Sequence, residues 1–357
     1  MNVLDATWLA SSIVAAAPLL LAASGELVSQ RAGVLNIGLE AYILAGAFFG
    51  YWAEVATGSL WIGVACGVGA GLLLAAGMGI ASIQCGADQL VVGIGMVLLA
   101  TGATSYIFDV RFGGTSTVSL KPMESVSVPV VSDIPFLGRP LFDQSVLVYV
   151  SYLAVPLAAF VLYRTTWGLA VRASGEAPVA AVANGLKVRA LRWQALLLSG
   201  AMGGLAGAFL SVAQLGFFVH GMSSGRGYLA LAAIFFGQWR AKGAFLACLI
   251  FGAAQSLQLR LQGLPSVPRS VWIVFAIAIL AHLIYSHRGR DELFRIAHLL
   301  EAVVAIVVAA CGILSADITL PSELWLALPY VLSLIVLGLS VGTSRMPSGL
   351  TLSPRPT

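Results

Sequence analysis

The sequence predicts an all-α, polytopic membrane protein with about 9 to 11 transmembrane or re-entrant helices. Three observations point there. Of 357 residues, 59% are hydrophobic and 10% charged, against about 25% charged in soluble domains. Mean hydropathy is +0.95, and apolar runs of about 20 residues recur, the length that crosses a hydrocarbon core of about 30 Å. Basic residues gather in the connections between those runs, as orientation in a bilayer requires. In lipid every backbone polar group must be paired internally, so repeated apolar runs mean helices. A soluble enzyme is excluded, and the net charge of +4 reflects topology rather than nucleic-acid binding.

The expected spans are 8–23, 35–53, 59–80, 88–108, 145–163, 194–215, 228–239, 243–261, 271–286, 301–314 and 324–342. No basic residue precedes the first run, so a secretory signal with a charged leading region does not fit, and the run is read as a retained helix. With the 164–192 connection inside, thirteen of the nineteen Lys and Arg lie on the cytoplasmic side, which orients the amino terminus outward. The stretch 228–239 is too short to cross, about 18 Å at about 1.5 Å per residue. It is expected to be broken or re-entrant, and the same holds for 271–286 and 301–314.

Two connections stand out. Residues 109–143, rich in Ser, Val and Pro with period-two stretches, should form an external hairpin or lid that docks a partner, covers an entrance or caps the helices passively. Residues 164–192 carry Arg164, Arg172, Lys187, Arg189 and Arg192. Within them Pro178 suits a first helical turn and Asn184-Gly185 a stop, which predicts a short helix from Pro178 to Ala183. Such a knob either enters a groove on another protein or is a connector whose cations hold the loop inside. It is too short to be stable without tertiary support.

Polar residues inside spans are the other candidates. Asn36 and Glu40, four apart, should share one helix face, and a carboxylate there costs about 2.5 to 3.5 kcal/mol or more unless it meets protein or water. Glu40 should therefore point inward, as a polar wall for a solute or as a helix-to-helix hydrogen bond. Glu26 and Arg31 are expected to form a structural pair. Phe217, Phe218 and Trp239 are candidates to stack on a base or to anchor at the interface. Gly203, Gly204 and Gly207 allow close helix contact. The cysteines and the four histidines show no ligand spacing, so no metal is expected.

The pattern G-x-A-x-R-A-x-G-E-x-P-x-A-A-x-x-x-G, from Gly168 to Gly185, resembles the cytoplasmic coupling region of ATP-binding-cassette importer permeases, more narrowly the ribose and branched-chain amino acid superfamily. The stretches GELVSQRAGVLNIGLEAYILAGAFFGYW, from Gly25, and GMSSGRGYLALAAIFFGQWRAKGA, from Gly221, are similar to its nucleoside and simple-sugar subgroup. Val179 departs from the broader pattern, which has Glu before the paired alanines. The resemblance covers 8 to about 262 and resumes at 320–342, so that 263–319 reads as an insertion in a single permease domain, 1–357.

The resemblance implies a non-enzymatic permease subunit of an importer in the bacterial inner membrane, for nucleosides, or alternatively for a ribose-like sugar. Arg172, Glu176, Pro178, Ala180, Ala181 and Gly185 would couple it to separate ATPase subunits, which use ATP and Mg while this chain binds no cofactor. No GxxxxGK[ST] phosphate loop occurs in the sequence. An extracytoplasmic substrate-binding protein and a second, related permease forming a heterodimer are the other implied partners. Asn36, Glu40, Phe217 and Phe218 would line the solute path. A different class, a proton-coupled secondary transporter with Glu26 or Glu40 as carrier, would explain the carboxylates but leaves the cytoplasmic knob without a role.

Overall fold

A computed structural model describes residues 5–113, 119–129, 131–132, 134, 138–262 and 346–350. The expected spans 271–286, 301–314 and 324–342 and the suspected insertion 263–319 lie outside the described residues.

Apolar length dictates the main elements. Helix α1 (Ala6–Arg31) is followed by α2 (Leu39–Thr57), α3 (Leu60–Gly79, running on as a π turn to Gln84) and α4 (Gln89–Phe112). After the external loop come α6 (Val146–Arg164), α9 (Val188–Ala208, running on as a π turn to Leu215) and α11 (Ala241–Gln262). Among the described residues six helices are long and apolar enough to cross a membrane. Helix α2, which carries Glu40 and Glu54, is not one of these six. It packs against α3, α4, α9 and α10 (Arg226–Phe236) and is buried almost continuously from Leu39 to Tyr51. Protein rather than lipid surrounds its acidic groups, which is how a charged helix is tolerated at this depth.

Small residues set how close the helices come. Along α9, Gly200, Gly204 and Ala208 recur every four residues and so form one stripe, which meets Gly67, Gly71 and Ala75 of α3. A methyl added at Gly71 would lie 2.8 Å from the Gly204 Cα, and one at Gly67 would lie 2.8 Å from the Ala208 Cβ. The neighbouring stripe, Gly203 and Gly207, meets Tyr42 and Ile43 of α2, with the Ile43 carbonyl against Gly207. Lipid tails are as apolar as leucine, so this close backbone packing supplies the association energy that the hydrophobic effect supplies in water.

The expected short crossing is a broken one. The turn at Gly216 (φ +72°) ends the α9 extension, and residues 216–225 follow as successive turns closed by Met222 N–H to Val219 O, Ser224 N–H to Gly221 O and Arg226 N–H to Ser223 O. Helix α10 then has only 11 residues, about 16 Å. Local turns and protein neighbours satisfy this irregular backbone.

The long connection 109–143 is an extended hairpin in part, as expected. Strand β1 (Ser125–Ser127) pairs antiparallel with β2 (Asp143–Ser145), with Val126 opposite Gln144, and the short helix α5 (Gly138–Phe142) precedes β2. Leu120 N–H bonds to Gly216 O (2.7 Å) and Met123 N–H to Ala213 O (3.1 Å), so the loop lies over the start of the broken crossing.

Candidate functional site

In the 164–192 connection, α7 (Thr166–Glu176) begins where the Thr165 hydroxyl accepts the Gly168 N–H (3.0 Å), a side-chain cap of the usual kind. Helix α8 spans Pro178–Ala183, the bounds expected from Pro178 and Asn184-Gly185. Asn184 Nδ2 closes it on Ala180 O (2.8 Å), and Gly185 takes the left-handed turn (φ +80°). Ala181 is buried against the body, whereas Val179 is 82% and Val182 51% exposed. The tip of this knob is therefore apolar and uncovered, while its cations sit elsewhere: Lys187 and Arg189 are exposed beyond it and Arg172 lies over the Tyr163 ring of α6, 5.4 Å from its centroid.

The knob's base is clamped to the first helix hairpin. Arg31 Nη1 pairs with Glu176 Oε1 (3.0 Å) and Arg31 Nε donates to Trp239 O (2.8 Å), at the end of α10. The Ala32 carbonyl accepts from Ser174 Oγ (3.2 Å) and Arg192 Nε (3.4 Å), and Ser348 Oγ reaches Glu176 O. One arginine thus bridges the loop that carries α8 and the helix that completes the broken crossing.

The expected Glu26–Arg31 pair does not form. Five residues on a helix are about 140° apart, so Arg31 faces α7 while Glu26 faces the interior. There Glu26 Oε1 accepts from Gln30 Nε2 (3.0 Å) and Asn36 N (3.3 Å), and Oε2 from Ser199 Oγ (2.7 Å) and Asn36 Nδ2 (3.3 Å). Gln30 Oε1 in turn accepts the Trp239 indole N–H (2.7 Å). Trp239, 4% exposed, is thus a buried tie rather than a stacking surface.

Asn36 and Glu40 do not share a helix face, because α2 starts only at Leu39 and Asn36 belongs to the returning strand of the hairpin. Glu40 does point inward. Its Oε1 accepts Gly225 N–H (2.8 Å) and its Oε2 accepts Gly227 N–H (2.7 Å), so the carboxylate caps the first turn of α10. An anion is favoured at that end of a helix, and both oxygens are used. Phe218 is buried in a T-shaped cluster with Phe48 and Phe108, and Phe217 is half-buried beside it. Asn36 bonds to Glu26, Glu40 caps α10 and Phe218 packs on Phe48 and Phe108, so these three are held by protein contacts of their own.

A cavity of 750 Å³ lies between the amino-terminal part of α1, the carboxyl-terminal part of α11 and the segment around Ser224 and Arg226. Gln144, Gln214, Gln255 and Gln258 line it, with Ser224, Arg226 and Arg260, and no carboxylate does so among the described residues. Arg226 is partly buried there, and its Nη1 donates to Met222 O (3.1 Å). Arg260 pairs with Asp5 at the rim (2.9 Å). Hydrogen bonds from Thr7 and the Trp8 N–H, with Arg260, hold the Asp5 carboxyl down at about 2. Sequence reasoning missed this group because its members are scattered over 250 residues. The glutamines were the available signal, amides standing in or beside otherwise apolar runs.

The family described as branched-chain amino acid transport system, permease component, matches residues 8–283. A guanosine ABC transporter permease of Bacillus subtilis is 37% identical over 259 residues, 70% of this chain and 81% of that one. A nucleoside ABC transporter permease of Lactococcus lactis is 31% identical over 297 residues, 79% and 94% of the two chains. A Haloferax volcanii ABC transporter permease provisionally named for glucose is 37% identical over 259 residues, 71% and 77%. No solved structure matches.

Proposed function

Because the chain belongs to the branched-chain amino acid transport system permease family, and is thus a multi-pass transport component rather than an enzyme, we propose that it forms the membrane path of an ATP-driven nucleoside importer. Separate ATPase subunits would hydrolyse ATP with Mg, an extracytoplasmic binding protein would deliver the solute, and a second, distinct permease would complete the pair. The observation that carries this reading is the α8 knob, whose uncovered Val179 and Val182 have no role in a self-sufficient transporter but suit a partner groove.

Arg31 supplies the mechanical link. A displacement of α7 and α8 by the ATPases pulls on Glu176, through Arg31 on Trp239 O, and so on the cytoplasmic end of α10. The opposite end of α10 is held by Glu40, so the broken crossing moves as a short lever between two fixed points, a packed element with discrete arrangements. The 750 Å³ cavity opens onto that upper end. Amide and hydroxyl groups there offer both donors and acceptors, which suits an uncharged solute with a base edge and ribosyl hydroxyls, and the two arginines disfavour a cation. The relatives named for guanosine and nucleoside agree with this solute class, and the relative named for glucose keeps a simple sugar as the second reading. A proton-coupled mechanism leaves the α8 knob without a role, and Glu40 already commits both oxygens to backbone N–H groups.

The test is uptake of labelled guanosine in cells with and without this chain, its partner genes intact, under a proton uncoupler with ATP maintained. Uptake that needs the chain and resists the uncoupler is expected. Uptake that collapses with the proton gradient refutes the ATP-driven reading, and guanosine uptake indifferent to the deletion, with glucose uptake lost, moves the solute to sugars.

A further inference from the structure

A second cavity, of 610 Å³, lies at the cytoplasmic ends of α1, α6, α10 and α11. Arg31, Arg240 and Lys242 line it with Tyr163, and no acidic side chain does among the described residues. Arg31 commits Nη1 to Glu176, while Arg240 and Lys242 are exposed. The first turn of α11 forms part of the wall, and its backbone N–H groups, having no preceding turn to bond, add the positive end of that helix. Toward the membrane centre the same helices expose large apolar side chains, Phe160 on α6 and Leu246 and Ile250 one and two turns along α11, each more than half exposed. A cationic pocket at the headgroup level with uncovered apolar flanks above it matches one kind of molecule, an anion that carries acyl chains.

We propose that this cavity binds the phosphate of an anionic phospholipid of the cytoplasmic leaflet, its chains lying along Phe160, Leu246 and Ile250. Basic pockets between membrane helices on the cytoplasmic side recognise headgroups in this way. The inference rests on the membrane fold and the cavity, not on which solute is carried. Soluble phosphate presents the same anion without the chains, and the apolar flanks select the lipid over it. Arg31 belongs both to this pocket and to the link between α7 and α10, so an occupied pocket would brace that link.

The test uses the full-length chain in mild detergent, titrated with phosphatidylglycerol, phosphatidylcholine or inorganic phosphate, with bound molecules counted by native mass spectrometry. Preferential retention of phosphatidylglycerol is expected, weakened about thirtyfold in Arg240→Gln/Lys242→Gln, from two cations at about 1 kcal/mol each. Arg240→Lys/Lys242→Arg should retain it, which separates lost charge from lost fold. The control Lys187→Gln/Arg189→Gln, equally basic and outside the cavity, should bind normally. Equal retention of the two lipids, or phosphatidylglycerol binding unchanged by Arg240→Gln/Lys242→Gln, overturns the proposal. Inorganic phosphate displacing the lipid at comparable concentration overturns the lipid assignment.

Discussion

Replacing Glu40 should cost stability before it costs selectivity. The carboxylate is 7% exposed and accepts two backbone N–H groups, from Gly225 at 2.8 Å and Gly227 at 2.7 Å. Hydrogen bonds to an ionised group contribute about 1.5 to 3 kcal/mol each. Glu40→Gln keeps one acceptor, now neutral, and turns an amide N–H₂ toward the other backbone donor, so it should destabilise by about 3 kcal/mol. Glu40→Ala removes both acceptors and leaves the first turn of α10 uncapped, a loss of about 3 to 6 kcal/mol. The assay is thermal unfolding in detergent, monitored by loss of the monodisperse species, beside solute competition profiles of whatever uptake remains. Melting temperatures should fall in the order wild type, Gln, Ala, with the competition profile unchanged. A Glu40→Gln protein that melts like the wild type but ranks solutes differently would refute the capping role and make the carboxylate a solute ligand.

Other outcomes follow from the same geometry. Arg172→Ala/Glu176→Ala should leave a folded protein in which ATP hydrolysis continues without uptake, since the Glu176 side chain is 57% exposed and its pair with Arg31 is worth about 1 kcal/mol of stability; normal uptake would remove the coupling role. Cysteines placed at 119–129 should react with an impermeant reagent from outside and those at 180–190 only after the membrane is opened; the reverse pattern would overturn the orientation. Gly204→Val should destabilise by about 1 to 3 kcal/mol or more through overpacking, because even a methyl there meets Gly67 O and comes within 3.0 Å of the Val68 Cα; a normal melting curve would mean α3 and α9 are not in backbone contact. Asp5 has a lowered pKa, about 2 against 3.8, so its contribution is present above the unfolded value and is lost as pH falls from about 4 toward about 2. Asp5→Asn should flatten that part of the acid unfolding curve, and an unchanged curve would exclude it.

Much of the architecture was legible from composition and spacing. Helix limits in a bilayer follow from apolar length, a one-dimensional property, so the expected spans 59–80, 88–108 and 145–163 fall within a few residues of α3, α4 and α6. The α8 knob was legible for a local reason, since Pro at a first turn and Asn-Gly at a stop act on their own backbone. The 12-residue stretch at 228–239 announced a broken crossing because no helix that short spans the core. Pairing was another matter. Glu26 and Arg31 look like partners along the chain, yet helical rotation turns them apart, and Arg31 finds Glu176 at a separation of 145 residues.

What the sequence by itself determined is the membrane class, the order of the helices, the short α8 knob and the family. Each depends on length, local backbone chemistry or a contiguous motif, and none requires knowing which helix lies beside which. Tertiary structure alone decided that Glu40 caps α10, that Glu26 closes a network with Asn36 and Ser199, that one arginine joins the knob to the broken crossing, and that glutamines scattered from 144 to 258 share one cavity. Most of those are meetings of groups more than a hundred residues apart, set by how the helices pack. In a medium where leaving a polar group unpaired costs several kcal/mol, each such group takes whatever partner that packing brings within reach.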